Sequence, residues 1–390
     1  MRYRLSFVIL LMLSTGGNLF PRTGGNLYRI QVTREGEPVR LVFVRSLKEI
    51  PPEEFLRDNL GYESMGIARE RDKTIFYEKR DRGHVPILCF HRIGPDPRYE
   101  LTLENTHHLM AALIQNGYFP LSDRDFASGN FSLVPSGLKP FVIGADDASH
   151  GQVVWTDDTL RRFGPEGMTG DPDLDPDCLA AVFSRYFPPV RDRYNLTFYV
   201  SFDAVPFRQT GGIPHNGPPY RGLPVVKEKM NFIYQRYYLG HHSLTHTSLE
   251  DQPVQDFIDE IEECNRIFSE YLDRDLQIPS LAYPYGVTGI TDDQERAFVR
   301  ATDRGGYPAS AFDLDGELAD LPWSRRYNPW RIPRLSVENR SFNSLLRKLE
   351  RRDIYRSRRT VLLYSDRKNF DLDSYNLVYG GDDVLYVYIP

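Results

Sequence analysis

The 390-residue sequence is 41% hydrophobic and 26% charged, with 24 Tyr and 23 Phe, which suits one large domain plus an appendage. A net charge of −6, with Lys and Arg dispersed along the chain, leaves no basic field for a polyanion and sets nucleic acid aside as a partner. Cys89, Cys178 and Cys264 stand far apart with no CxxC pair, which argues against a disulfide framework or a thiolate zinc site.

The first residues read as an export signal over 1–17. Arg2 and Arg4 precede the apolar run Leu5–Leu13, and small residues follow from Ser14 to Gly17. That run is too short to span a bilayer, which needs roughly 20 residues, so no stable membrane span is expected. The expected destination is the periplasm, the cell surface or the medium. Next, Leu27–Thr33 and Val39–Ser46 alternate apolar with polar around Arg34–Pro38, the pattern of a β-hairpin. A helix over Pro51–Leu60 and a strand at Thr74–Tyr77 complete a small β-rich unit over 27–80.

From Val85 onward strands alternate with helices. Buried-type strands are expected at Val85–Phe90, Phe141–Gly144, Leu196–Phe202 and in the run ending at Leu239. Further strands are expected at Ile278–Tyr283, Trp330–Val337 and Thr360–Tyr364. Between 254 and 272, Phe257, Ile258, Ile261, Cys264, Ile267, Phe268 and Tyr271 mark one face of an amphipathic helix. Helices are also expected from Leu103 to Gly117, over Asp292–Thr302, and over Ser341–Arg352 with Ser341 as N-cap. Repeated β–α units point to an α/β fold, a distorted (β/α) barrel over 84–366 followed by a C-terminal extension, 367–390. Two Gly- and Pro-rich excursions, 150–195 and 203–227, interrupt the rhythm at strand ends, where loops carry function. The alternating Asp171, Asp173, Asp175 and Asp177 lack the glycine and distal Glu of a calcium loop and read as a solvated acidic turn.

Three motifs carry chemistry. After Gly240 the chain delivers His242 and His246, whose spacing puts both on one side of a helical turn. Held so, they can take adjacent positions on a divalent metal, or simply stand as a solvated or core pair. At the end of the second strand, Asp146 and Asp147 point in different directions. One can bind a metal while the other serves as base, or the pair is an ordinary turn. Ala282-Tyr283-Pro284-Tyr285-Gly286 can present a backbone amide to an oxyanion, or form a tight aromatic turn.

Asp-Asp after a strand, then His-Ser-x-x-His, then Tyr-Pro-Tyr-Gly, in this order, resembles the polysaccharide deacetylases of carbohydrate esterase family four. The strand Val85–Phe90 with His91-Arg92-Ile93-Gly94 resembles the start of that domain. The resemblance implies a distorted barrel that hydrolyses acetyl groups on an acetylated polysaccharide or cell-wall glycan. It implies that Asp147, His242 and His246 hold zinc. It further implies that Asp146 is the general base and that the Tyr285 N–H serves the oxyanion.

The departures are specific. Ala148 stands where the family has Gly, and Ala282 stands where an arginine is usual, with Arg334 the candidate to supply that charge from the next strand. The family's proton-donating histidine after Leu-Leu is here Tyr364, with an unperturbed pKa near ~10. Tyr364, His91, His241 or a substrate group is then left to donate the proton. The alternative is a degenerate homologue that binds glycan without turnover.

Overall fold

The computed structural model describes residues 27–34, 37–44, 65–70, 73–79, 83–94, 101–135, 137–164, 167–168, 170–203, 206–207, 224–286, 291, 293–294, 296–297, 300, 309–357, 359–364 and 384–388. The strands at the two ends of the chain are described by their backbone alone. The expected export signal, the helix at 51–60, most of the 203–227 excursion and most of the C-terminal extension lie outside the described residues, as does part of the helix expected over 292–302. Among the described residues no helix is long and apolar enough to cross a membrane.

The chain forms two compact units, one of which is Arg82–Gly129 with Pro140–Tyr355. The strands of its main sheet are β1 (Ile87–Phe90), β2 (Lys139–Ala145), β3 (Thr197–Val200), β4 (Tyr238–His241), β5 (Ser280–Ala282), β6 (Ser310–Phe312) and β7 (Leu335–Ser336). They run in the order β6-β5-β4-β3-β2-β1-β7, every neighbouring pair parallel, and Tyr118–Pro120 adds an eighth strand against β2. Parallel strands covered on both faces must be apolar nearly throughout, and β1, β2 and β3 are buried at every position. The two edges meet just ahead of β7. The Ile332 N–H donates to Ala311 O at 3.0 Å, and the Asp313 N–H to Ile332 O at 2.8 Å. The fold is a distorted (β/α) barrel.

The longer helices among the described residues that flank these strands in sequence are α1 (Leu103–Gln115), α2 (Leu179–Tyr186), α3 (Pro224–Arg236), α4 (Val254–Leu272) and α5 (Phe342–Leu349). α4 buries the expected stripe, Phe257 through Tyr271, and stops at Asp273, which turns left-handed with φ 49°. Each fully buried Ile or Phe of that stripe contributes about 1.5–3 kcal/mol, so its docking is strong. α1 starts where the Thr102 hydroxyl accepts the Asn105 N–H. Ser341, the expected cap of α5, makes no such bond, because a short 3-10 turn over Asn339–Ser341 leads into the helix instead.

Inside the barrel Tyr199 lies across two glycines. A Cβ at Gly144 would fall 2.6 Å from its ring and one at Gly240 2.2 Å, so only glycine fits beside it. Its hydroxyl donates to Asp123 Oδ2 at 3.1 Å.

The second unit holds a six-stranded sheet. Leu27–Arg34 and Glu37–Val44 form the expected hairpin, in register from Leu27↔Val44 to Arg34↔Glu37. The strand expected to end the barrel series does not join it. Arg359–Tyr364 pairs antiparallel with Lys73–Glu78 and parallel with Val384–Tyr388. An apolar β-branched run specifies a strand but not its sheet, because partner choice depends on the surfaces the rest of the chain leaves open. Tyr364 is therefore not at a barrel strand end, and its side chain lies outside the described residues.

Candidate functional site

Parallel register brings the chemistry to one rim. Phe90 pairs with Ala145 across β1 and β2, so His91 and Asp146, each next in sequence, leave the sheet side by side. Val200 pairs with His241 across β3 and β4, and His241 with Leu281 across β4 and β5. His242 and the Tyr283–Tyr285 turn therefore emerge at the same C-terminal ends, where barrels of this kind concentrate their chemistry.

Asp147, His242 and His246 converge, their ligand atoms all within 4.8 Å of one another. His242 Nε2 lies 3.2 Å and His246 Nε2 3.0 Å from Asp147 Oδ1. Two donors on a tetrahedral ion with bonds of roughly 2.0–2.2 Å stand about 3.4 Å apart, so the spacing fits. The tautomer fits as well. His242 Nδ1 lies 2.8 Å from Ala282 O. A carbonyl can only accept, so Nδ1 carries the proton and Nε2 turns a lone pair to the site. Ala282 thus contributes its backbone where a side-chain charge was sought.

The route to this arrangement differs from expectation. His242 and His246 are not on a helical turn. The chain leaves β4 and doubles back, with Ser243 at φ 58° and His246 at φ 57°. Asp147 (φ 71°), Ala148 (φ 47°) and Tyr285 (φ 63°) are left-handed too, so the three site loops hold five of the nine positive-φ non-glycine residues among those described. Such conformations cost about 1–3 kcal/mol each and persist only where the surroundings impose them.

Asp146 has a different environment. Arg334 grips it with both terminal nitrogens, NH1 to Oδ1 at 2.7 Å and NH2 to Oδ2 at 2.8 Å, while its Nε donates to Asp313 O at 2.9 Å. The guanidinium also lies 5.6 Å from the Tyr199 ring centroid. Arg334 thus supplies the charge that Ala282 does not. Burial would push Asp146 up, but the Arg334 charge, with His242 and His91 behind it, holds its carboxyl below the usual range. For Asp147 too burial opposes ionisation, and the imidazoles of His242 and His246 facing it override that and hold the carboxyl down. His246 is raised in return, chiefly by its bond to Asp147.

The remaining histidines separate cleanly. His241 is fully buried on the opposite face of β4, with Nε2 3.1 Å from Asn265 Oδ1 and its ring edge-on to Phe268. Burial pushes its pKa down to about 3, so the ring stays neutral at pH 7 and offers no imidazolium as an acid. His91 is half-buried, and its ring nitrogen, Cys89 Sγ and an Asp146 carboxylate oxygen all lie within 4.8 Å of one another. Tyr285 stands on the open side at 74% exposure, its ring 4.7 Å from that of His246. The Tyr285 N–H makes no hydrogen bond among the described residues, which leaves it available.

Parts of the excursions after β2 and β3 reach this rim, whereas Asp171 pairs with Arg236 at 3.2 Å, ahead of the start of β4. The Phe207 N–H donates to Ala148 O at 2.6 Å. Lys229 on α3 donates to Val153 O at 3.0 Å and Phe207 O at 2.8 Å, and burial pushes its pKa down to about 7. Gln152, which the sequence did not single out, is fully buried. Its amide nitrogen donates to His91 O at 2.7 Å and Asp146 O at 2.6 Å, tying two strand ends together. Nothing in the linear sequence marks it, because its two acceptors are backbone carbonyls.

No family model and no curated protein matches the chain. Among solved structures it is similar to a Streptococcus pyogenes deacetylase, PplD, in complex with acetate (13% identity, 69% of this chain and 100% of that chain, TM-score 0.46). It is also similar to a de-N-acetylase from Aggregatibacter actinomycetemcomitans (12% identity, 68% and 99% covered, TM-score 0.43). A family 4 carbohydrate esterase from Bacillus anthracis matches at 11% identity, with 64% and 87% covered and a TM-score of 0.27. The neighbours are deacetylases and a carbohydrate esterase. At such identities the roles of individual residues rest on their own geometry.

Proposed function

We propose that this chain is a metal-dependent hydrolase that removes acetyl groups from an acetylated polysaccharide, such as a cell-wall glycan, by cleaving the amide carbon–nitrogen bond. The observation that carries this reading is the pairing of two unlike carboxylates. Asp147 meets two imidazoles at 3.2 and 3.0 Å, while its neighbour Asp146 is held ionised by Arg334. Asp147, His242 and His246 would hold the cation. Two imidazoles and a carboxylate suit zinc, with a position left for water or substrate. When bound, zinc supplies Lewis-acid polarisation of the acetyl carbonyl and a lowered pKa for water.

The chain's own groups do the rest. Asp146 accepts a proton from the attacking water as its oxygen bonds to the acetyl carbon. The Tyr285 N–H donates to the carbonyl oxygen as charge builds there, the role of an oxyanion donor. The bond to the sugar nitrogen then breaks, giving acetate and an amine once a proton reaches that nitrogen. His91 is the donor we assign, since it stands beside Asp146 at a neighbouring strand end whereas Tyr364 is on another sheet and His241 is in the core. With a histidine in reach, the case for a binding-only homologue loses its main support. Acetylated glycans and the amino-terminal pattern of residues 1–17 together place the enzyme's work outside the cytoplasm in this reading.

The test is acetate release from a panel of N- and O-acetylated glycans, with and without added zinc. Zinc-dependent release lost in His91→Gln, but kept in Tyr364→Phe, is the expected result. Glycan binding without release on every substrate would replace the enzyme with a binding protein.

A further inference from the structure

We propose that Glu260 is a positioning residue for the metal ligands, fixing the loop that joins His242 to His246. The inference rests on the reading of Asp147, His242 and His246 as a metal site. To bring His246 Nε2 to the same Asp147 oxygen that His242 reaches, the loop must double back within a few residues. It does so through left-handed Ser243 and His246, neither of them a glycine. Within the loop the Ser243 hydroxyl accepts the His246 N–H at 3.0 Å, and the Leu244 carbonyl accepts the Phe202 N–H at 3.2 Å. Those two bonds leave the Leu244 and Thr245 N–H groups pointing out of the turn.

Glu260 collects both. Its Oε2 accepts from Leu244 N at 3.1 Å and Thr245 N at 3.3 Å, and its Oε1 accepts from the Thr245 hydroxyl at 2.7 Å. Consecutive N–H groups closing on one anion form a concave nest, a shape that an extended or helical backbone does not present. The anion is itself anchored. Glu260 lies between Phe257 and Ile261 on α4, both fully buried in the core. A carboxylate fixed to a docked helix therefore holds a strained loop in the conformation that makes the two imidazoles converge. Another half-buried carboxylate on the same helix does otherwise: Glu263, one turn on, pairs with Arg266 at 2.7 Å.

The experiment is zinc affinity of the full chain, measured by competition with a chelating indicator, together with the visible spectrum of the cobalt-substituted protein. The variants are Glu260→Ala, Glu260→Gln and, as control, Glu263→Gln. Removing an outer partner of a metal site typically weakens binding roughly 10- to 100-fold, and that is the loss expected for Glu260→Ala. Glu260→Gln keeps one acceptor oxygen and should recover part of it, while Glu263→Gln should bind as wild type does. Saturating zinc should restore most acetate release in Glu260→Ala, which a general loss of folding would not allow. Wild-type zinc affinity and an unaltered cobalt spectrum in both Glu260 variants would overturn the inference alone. A wild-type protein that binds neither ion would overturn the metal site and this inference with it. Should Glu260→Ala fail to fold, the isosteric Gln variant still decides the matter.

Discussion

Two clusters of ligand-type side chains stand side by side at the barrel rim, Asp147–His242–His246 and Cys89–His91–Asp146. Each offers a carboxylate, an imidazole and one further donor, yet their surroundings give them opposite chemistry. In the first cluster one carboxylate oxygen, Asp147 Oδ1, meets the two imidazoles while Oδ2 accepts from the Ser149 hydroxyl at 3.4 Å, and the His242 tautomer is set by a backbone carbonyl. In the second, both carboxylate oxygens are committed to Arg334, and burial raises the Cys89 thiol well above its ordinary range. A protonated thiol donating to Asp146 Oδ2 at 3.4 Å is not a metal ligand. Residue type alone does not make a metal site. What the neighbouring cation or carbonyl leaves free decides between ligand and base.

The widest separation is expected from the adjacent carboxylates. Asp146→Asn should lower the rate of acetate release about 10²–10⁴-fold while zinc still binds stoichiometrically, since it removes a proton acceptor and no ligand. Asp147→Ala should lose the zinc itself. Equal zinc loss in both variants would erase the distinction between the clusters.

Arg334→Met tests what keeps Asp146 ionised. Removing one partner of a buried ion pair costs roughly 3–5 kcal/mol, read as a fall in the urea midpoint. The pH dependence gives the sign. With Arg334 the folded Asp146 sits below its unfolded value, so its contribution to stability is complete above the unfolded carboxylate range and lost as pH falls through the folded value. Without Arg334 burial dominates and raises the carboxyl, so the acidic limb of the activity profile should move to higher pH.

A smaller effect is expected where the two clusters are tied together. Gln152→Leu leaves two carbonyls, those of His91 and Asp146, without their shared donor, at about 1–3 kcal/mol each if they stay dry. Rate should fall more than zinc affinity, because the tie spans the acid and the base and touches no ligand. Least affected should be Cys89→Ala. A thiol is a weak donor, and its long bond to the ionised Asp146 is worth about 1 kcal/mol, roughly fivefold in rate at most, with zinc content unchanged. A large zinc loss there would mean that the second cluster binds metal after all.

The sequence by itself determined the strands that could be buried, the apolar face of α4 and the ordered motifs that bring two aspartates, two histidines and a Tyr-Pro-Tyr-Gly turn into one protein. Those features are local, set by periodicity and by residue type at strand ends. It also raised Arg334 as a partner for the base and His91 as one of several proton donors. Only the tertiary structure shows Arg334 and Asp146, 188 positions apart, paired with each other and His241 buried in the core, because both facts depend on contacts between distant segments. The same holds for the turn between His242 and His246, which Ser243, Glu260 and two left-handed residues shape against the helical spacing. Thr360–Tyr364 was legible as a strand and not as to its sheet. Periodicity lives in one segment, whereas pairing depends on every other edge the fold leaves unfilled.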